Sequence, residues 1–243
     1  MADRVGELAR LFGSMRIVDL APKLERGIPR FPSHPHFVLD KTVTHGRNGY
    51  YCQSLQLAEH TGCHCDAPPH NHPAMMDSTV DKLPIDSLIA PAVVYDFASL
   101  DLQPGQLIDV SHIEDMERKM GVQAGKGDIA LVNFGWLKRH WRTDDRSQWY
   151  ANNSPGMSEG VAVLFKERGV KAVGADTVAC EVPLVDGHYG NAPGHERHWL
   201  PNGILILECV ANLEQISGRC FFVALPLPID EGSGSPLRPI ALV

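Results

Sequence analysis

The segment His60-Thr61-Gly62-Cys63-His64-Cys65-Asp66-Ala67-Pro68-Pro69-His70 sets three imidazoles and a carboxylate within eleven residues. Gly62 suits a turn near its start, and the paired prolines stiffen its end, so several metal-competent side chains can converge from one short stretch. Any fold open to this chain must hold that stretch rigid and leave space in front of it.

The rest of the sequence is compatible with a packed globular frame. At 243 residues, 44% hydrophobic and 21% charged, the chain can bury a substantial core, and we expect one domain over 1–243 with an N-terminal helix or arm at about 1–15. Net charge is −7 with no block of Lys or Arg, which argues against a nucleic-acid partner. No apolar run approaches a membrane span, and Met1 to Met15 lacks a basic segment followed by an apolar one, so no membrane partner and a cytoplasmic address are expected. Six cysteines without a dense framework read as reduced thiols, and Cys63 and Cys65 read as packing residues.

Periodicity predicts a mixed α/β chain of about seven strands and three helices. Val5, Leu8, Leu11 and Phe12 lie at helical intervals within 3–13, Ser111 and Glu114 suggest a capping box for a helix at 110–117, and a third helix ends at Gly169. Strands are expected at 16–20, 37–40, 50–57, 92–97, 127–136, 170–177, 204–210 and 221–225, with a loop over 80–85. Phe31, between Pro29 and Pro32, is either core or a pocket wall.

His60, His64 and Asp66 form a donor set for a borderline divalent metal, and three protein ligands leave an open position at which bound water becomes acidic. His70 is then free to move a proton. His72 is expected to be exposed. Farther along, Gly194-His195-Glu196-Arg197-His198 precedes the apolar strand that carries Glu208. Ile204, Ile206 and Glu208 share one strand face, so an outward Glu208 would drag two isoleucines into water; it is expected to point inward and to require a partner.

The motif resembles the His-x-Gly-Thr-His-x-Asp-x-Pro-x-His signature of the metal-dependent cyclase family, which includes bacterial kynurenine formamidases and isatin hydrolases; only the Thr is replaced, by Cys63. Asp19-Leu20 with Gly27 to Pro32, Gly127 to Trp136, Gly174 to Thr177, and Glu208 with Asn212-Leu213 extend the likeness over most of the chain. The resemblance implies a swivelling β/β/α domain with a large mixed sheet and assembly into homodimers or homotetramers. It implies His60, His64 and Asp66 as metal ligands, His70 as acid/base, and Phe31 as a substrate-contacting wall. Glu208 and a later histidine would complete a second metal position. His195 lies thirteen residues before Glu208 and His198 ten, and His195 is preferred. The expected activity is hydrolysis of an N-formyl or lactam-like amide in a small-molecule substrate, with one or two Zn or Mn ions per chain. A metal-dependent cyclase or lyase using His70 as base, and a metal-binding module without catalysis, are the competing readings.

Overall fold

The computed structural model describes residues 3–185, 188–189 and 192–243. Nine strands form one mixed sheet: β1 (Ile17–Asp19), β2 (His64–Asp66), β3 (Ile89–Asp96), β4 (Ile129–Asn133), β5 (Ala172–Ala175), β6 (Leu205–Glu208), β7 (Gly218–Val223), β8 (Gly234–Pro236) and β9 (Ile240–Leu242). Their spatial order is β1-β9-β7-β3-β4-β5-β6-β2-β8. The centre, β3-β4-β5-β6, is parallel, and the flanking pairs are antiparallel. This is the α/β class with a large mixed sheet that the sequence predicts.

Both faces of the central strands are buried, which explains their nearly continuous apolar runs. Val93, Val132, Val173 and Ile206 pack on one face against helices α2 (Val110–Met120) and α3 (Glu159–Arg168) through Ile113, Val161 and Phe165. Val94, Leu131 and Leu207 enter a second cluster on the other face, with Leu88, Leu213 and Phe222. Alternation along each strand divides the two sets. Cys63 and Cys65 belong to the second cluster, away from the cavity, as small packing residues should. All six cysteines are free.

Several local expectations are corrected. Helix α2 is capped by Asp109, with His112 at the third helical position completing the capping box; Ser111 and Glu114 each lie two residues too late for that task. The expected strands at 37–40 and 50–57 pair with each other as a separate hairpin, Val38–Val43 with Cys52–Gln56, outside the large sheet. The presumed loop at 80–85 begins with a 3₁₀ turn, Val80–Lys82. Fifteen strands occur among the described residues, against about seven expected. Most of the surplus are two or three residues long, too short for a period of two to register in sequence. The N-terminal helix α1, Arg4–Ser14, is present, but none of its residues is buried. No helix among the described residues is long and apolar enough to cross a membrane.

Gly174 makes the approach between the site-bearing strand and its neighbour possible. A Cβ there would lie 2.7 Å from Leu207 Cβ and 2.9 Å from Leu131 Cδ2. Gly174→Ala should therefore lower unfolding free energy by about 1–3 kcal/mol through overpacking, measurable by denaturant titration; an unchanged midpoint would show that β5 and β6 can separate freely.

Candidate metal centre

Strand register builds the centre. Glu208 of β6 stands directly opposite His64 of β2, and Ile206 opposite Asp66, so His64, Asp66 and Glu208 share one sheet face while Cys65 and Leu207 share the other. Glu208 thus points inward with Ile206, as its strand pattern predicts, and is 6% exposed. His60 reaches the same point from the turn before β2, its Nδ1 2.6 Å from Asp66 Oδ1.

His195 arrives from Gly194–His198, a single π turn closed by Trp199 N donating to Gly194 O at 2.6 Å. Its Nε2 lies 3.6 Å from Asp66 Oδ2 and 3.3 Å from Glu208 Oε1. His64 Nε2 lies 3.4 Å from Asp66 Oδ1 and 3.3 Å from Glu208 Oε2. His198 points elsewhere, with its Nε2 2.9 Å from Glu159 Oε1 on α3. Of the two candidates in that segment, only His195 joins the cluster.

Each of the three imidazoles is held from behind. His195 Nδ1 donates to Glu181 Oε2 at 2.8 Å, and His64 Nδ1 donates to the Gly62 carbonyl at 2.8 Å. His60 Nε2 is 3.0 Å from Ser233 Oγ. The remaining nitrogens, His60 Nδ1, His64 Nε2 and His195 Nε2, face the two carboxylates. Metal-binding histidines usually show this arrangement, with one nitrogen toward the ion and the other anchored.

The electrostatics fit a cation. Burial pushes Asp66 upward, but His60 and His70 around it hold its carboxyl well below the usual range. Burial and Asp66 raise Glu208, and hydrogen bonds from His195 and His64 more than reverse that. His64 is lowered by burial yet lifted to about 10 by Asp66 and Glu208, and His195 is raised for the same kind of reason, with Glu181 added. Two buried carboxylates thus demand positive charge, which protons or a divalent ion can supply. Asp66 Oδ2 is buried without a hydrogen-bond partner, an orphan that a bound cation would satisfy. His60, Asp66 and His70, and separately His64, Asp66 and Glu208, each present ligand atoms within 4.8 Å of one another.

His70 differs from the other histidines. Its ring lies tilted against that of His60, with centres 4.1 Å apart, and 6.3 Å from that of His195. Burial, then the neighbouring imidazoles, push it down to about 4 against the pull of the carboxylates, so it is neutral at physiological pH. It lines a cavity of about 340 Å³ together with His60, His64, His195 and Glu208. Phe31 also lines it, 5.5 Å from the rings of His34 and Tyr189, and packs partly buried against the core as well, so it is pocket wall and core edge at once. His72 is partly buried rather than exposed, its Nε2 3.3 Å from the His195 carbonyl.

Sequence reasoning missed Glu181 and His34. Glu181 is 3% exposed and accepts from the Gly194 amide at 2.7 Å and the His195 amide at 3.1 Å besides the His195 ring. The signal applied to Glu208, an acid among Val178, Ala179, Cys180 and Val182, was available for it. His34 lies on the turn after Phe31, and only the fold brings it within 5.4 Å of the His60 ring.

Fold and donor set together define a chain able to hold a divalent cation beside a pocket lined by the same histidines. The chain belongs to the Cyclase family, whose model, described as "Putative cyclase", matches residues 18–182. It is 26% identical over 250 residues to the isatin hydrolase of Roseibium aggregatum, covering 96% of this chain and 94% of that protein. It is 23% identical over 227 residues to the kynurenine formamidase of Bacillus mycoides, covering 92% and 95%. The solved structure of isatin hydrolase A from Ralstonia solanacearum superposes with a TM-score of 0.83 at 29% identity, over 99% of this chain and 95% of that one.

Removing Glu181 should expose how much of this geometry is imposed from behind. Glu181→Ala leaves two buried amides and an imidazole nitrogen unpartnered and should cost about 3 kcal/mol in the metal-free protein, with Glu181→Gln costing clearly less. Urea unfolding of both variants measures this, and equal midpoints for the two would contradict it.

Proposed function

We propose that this chain is a metal-dependent amidohydrolase that cleaves an N-formyl or cyclic-amide carbon–nitrogen bond in a small molecule. The observation that carries the reading is His70: a neutral imidazole in the same pocket as a buried two-carboxylate, three-imidazole cluster, packed on one of its rings. His60, His64, Asp66, His195 and Glu208 are assigned as ligands of one or two divalent ions, Zn or Mn. The names of the relatives, isatin hydrolase and kynurenine formamidase, support the reaction class.

A divalent ion at this point would supply Lewis acidity, polarising an amide carbonyl and lowering the pKa of water. The protein supplies the rest. His70, uncharged, accepts a proton from the attacking water and returns it to the departing nitrogen, so the C–N bond breaks to a carboxylic acid and an amine. Asp66 and Glu208 are kept ionised by the imidazoles about them, and Phe31 and Tyr189, set edge to face with ring centres 5.5 Å apart, give the pocket an aromatic lining. A substrate ring stacked there would bring its carbonyl toward the cluster.

Chelation should abolish turnover of N-formyl and lactam substrates, and added Zn or Mn should restore it; activity surviving complete chelation would refute the assignment. Hydrolysis in heavy-oxygen water must place label in the product acid, whereas a lyase or cyclase would leave it unlabelled. His70→Ala should retain bound metal and lose at least about 100-fold in kcat, the usual weight of a general base. A non-catalytic binding module would lose nothing.

The choice between the two later histidines has its own test. His195→Ala should lower metal content measured by elemental analysis, and His198→Ala should leave both metal content and turnover within twofold of the unaltered protein. The reverse pattern would move the ligand to the α3 side.

A further inference from the structure

The segment Gly232-Ser233-Gly234 lies directly behind His60, and its chemistry reaches to the protein surface. Ser233 donates both its amide N–H, at 2.8 Å, and its hydroxyl, at 2.6 Å, to Glu59 Oε2. A carboxylate has no proton to give, so the Ser233 hydroxyl hydrogen is committed to Glu59. The hydroxyl oxygen then offers only lone pairs to His60 Nε2 at 3.0 Å, and Nε2 must carry a hydrogen. In a neutral ring this leaves Nδ1 as a lone pair aimed at Asp66 Oδ1, 2.6 Å away. Two acceptors at that distance call for a positive species between or beside them.

We propose that Glu59 and Ser233 are positioning residues that select the His60 tautomer able to bind a cation. The inference rests on the metal-centre reading above and extends it to two residues outside the ligand set. The competing tautomer, with hydrogen on Nδ1, would satisfy Asp66 by a hydrogen bond and close the position. It would also set a bare Nε2 against the lone pairs of Ser233, whose own hydrogen is already held by Glu59. The arrangement thus disfavours the closed neutral tautomer through the outer nitrogen of His60 alone.

The backbone fixes Ser233 where this is required. The Ala67 amide donates to the Ser233 carbonyl at 2.8 Å, and the Val80 amide donates to Gly232 O at 2.8 Å. Gly234 pairs with Asp66 in the β2–β8 ladder. A Cβ on Gly234 would lie 2.6 Å from His60 Cε1, and one on Gly232 would lie 2.7 Å from Val80 Cγ1, so neither flanking position accepts a side chain without displacing the ring or the turn. Glu59, whose side chain is 32% exposed, anchors the far end at the edge of solvent.

The test is cation affinity of the full chain, stripped of metal and titrated separately with Zn²⁺ and Mn²⁺ against a competing chromophoric chelator. Ser233→Ala and Glu59→Gln should each weaken binding by about 10–100-fold, the usual effect of losing a partner behind a ligand. Ser233→Thr, which keeps the hydroxyl, should restore affinity to within about threefold. The double variant should be no weaker than Ser233→Ala alone, because the two act through one hydrogen-bonded chain. Affinities of both single variants within twofold of the unaltered protein, or log-additive losses in the double variant, overturn the proposal. Glu59→Gln keeps it testable if Ser233→Ala does not fold. Failure of the unaltered protein to bind either ion refutes the metal centre and this proposal with it; normal binding by the unaltered protein and the variants alike refutes this proposal only.

Discussion

Two carboxylates, Asp66 and Glu208, are buried on neighbouring antiparallel strands of one sheet, and much of the rest of the molecule responds to that fact. Ionised acids in a protein interior are costly unless positive charge and hydrogen bonds surround them. Here three imidazoles converge from three separate pieces of chain: the turn before β2, β2 itself, and the π turn at Gly194–His198. Each imidazole is then gripped on its outer nitrogen by a fixed acceptor, so that the cluster is rigid before any ligand enters. Gly174, Gly194 and Gly234 allow the close approaches around this cluster, since a Cβ at each would meet a neighbour at 2.7 Å or less.

The sheet accounts for where this can happen. The parallel centre β3-β4-β5-β6 is covered on both faces and tolerates little that is polar, yet β6 ends in Glu208, and β2 joins it antiparallel at that end. Asp176, following β5, uses its acid differently: it accepts amides from Phe134 and Leu137, anchoring the turn after β4, while burial pushes it up to about 6. One acid therefore braces the fold, and two others sit in the histidine cluster, Glu208 lining the cavity. Their proximity to His70, held neutral beside them, separates a charged cluster from an uncharged proton carrier within a few ångströms.

Legibility from sequence varied with the range of the interaction. His60, His64, Asp66 and His70 were visible because one stiff segment carries them all. Glu208 was visible because a charged residue in an apolar strand has few physical solutions, and period-two alternation chose among them. His195 was separable from His198 only weakly by spacing; the π turn, which inserts an extra residue into the helical repeat, is what turns His195 inward and leaves His198 against Glu159. The capping of α2 was misplaced by two residues, since Asp109 and Ser111 are both competent caps and tertiary packing decides which is used.

The sequence by itself determined the donor chemistry and the alternation that buries it, because both depend on contacts within a few residues along the chain. It also determined the family, through a motif whose spacing is rigid. Tertiary structure alone decided which distant groups complete the centre: the register that sets Glu208 opposite His64, the carboxylate of Glu181 behind His195, and Ser233 with Glu59 behind His60. Ser233 lies 173 residues from its imidazole. No local periodicity encodes such a pairing; it exists only once the strand carrying Asp66 is held between β6 and β8.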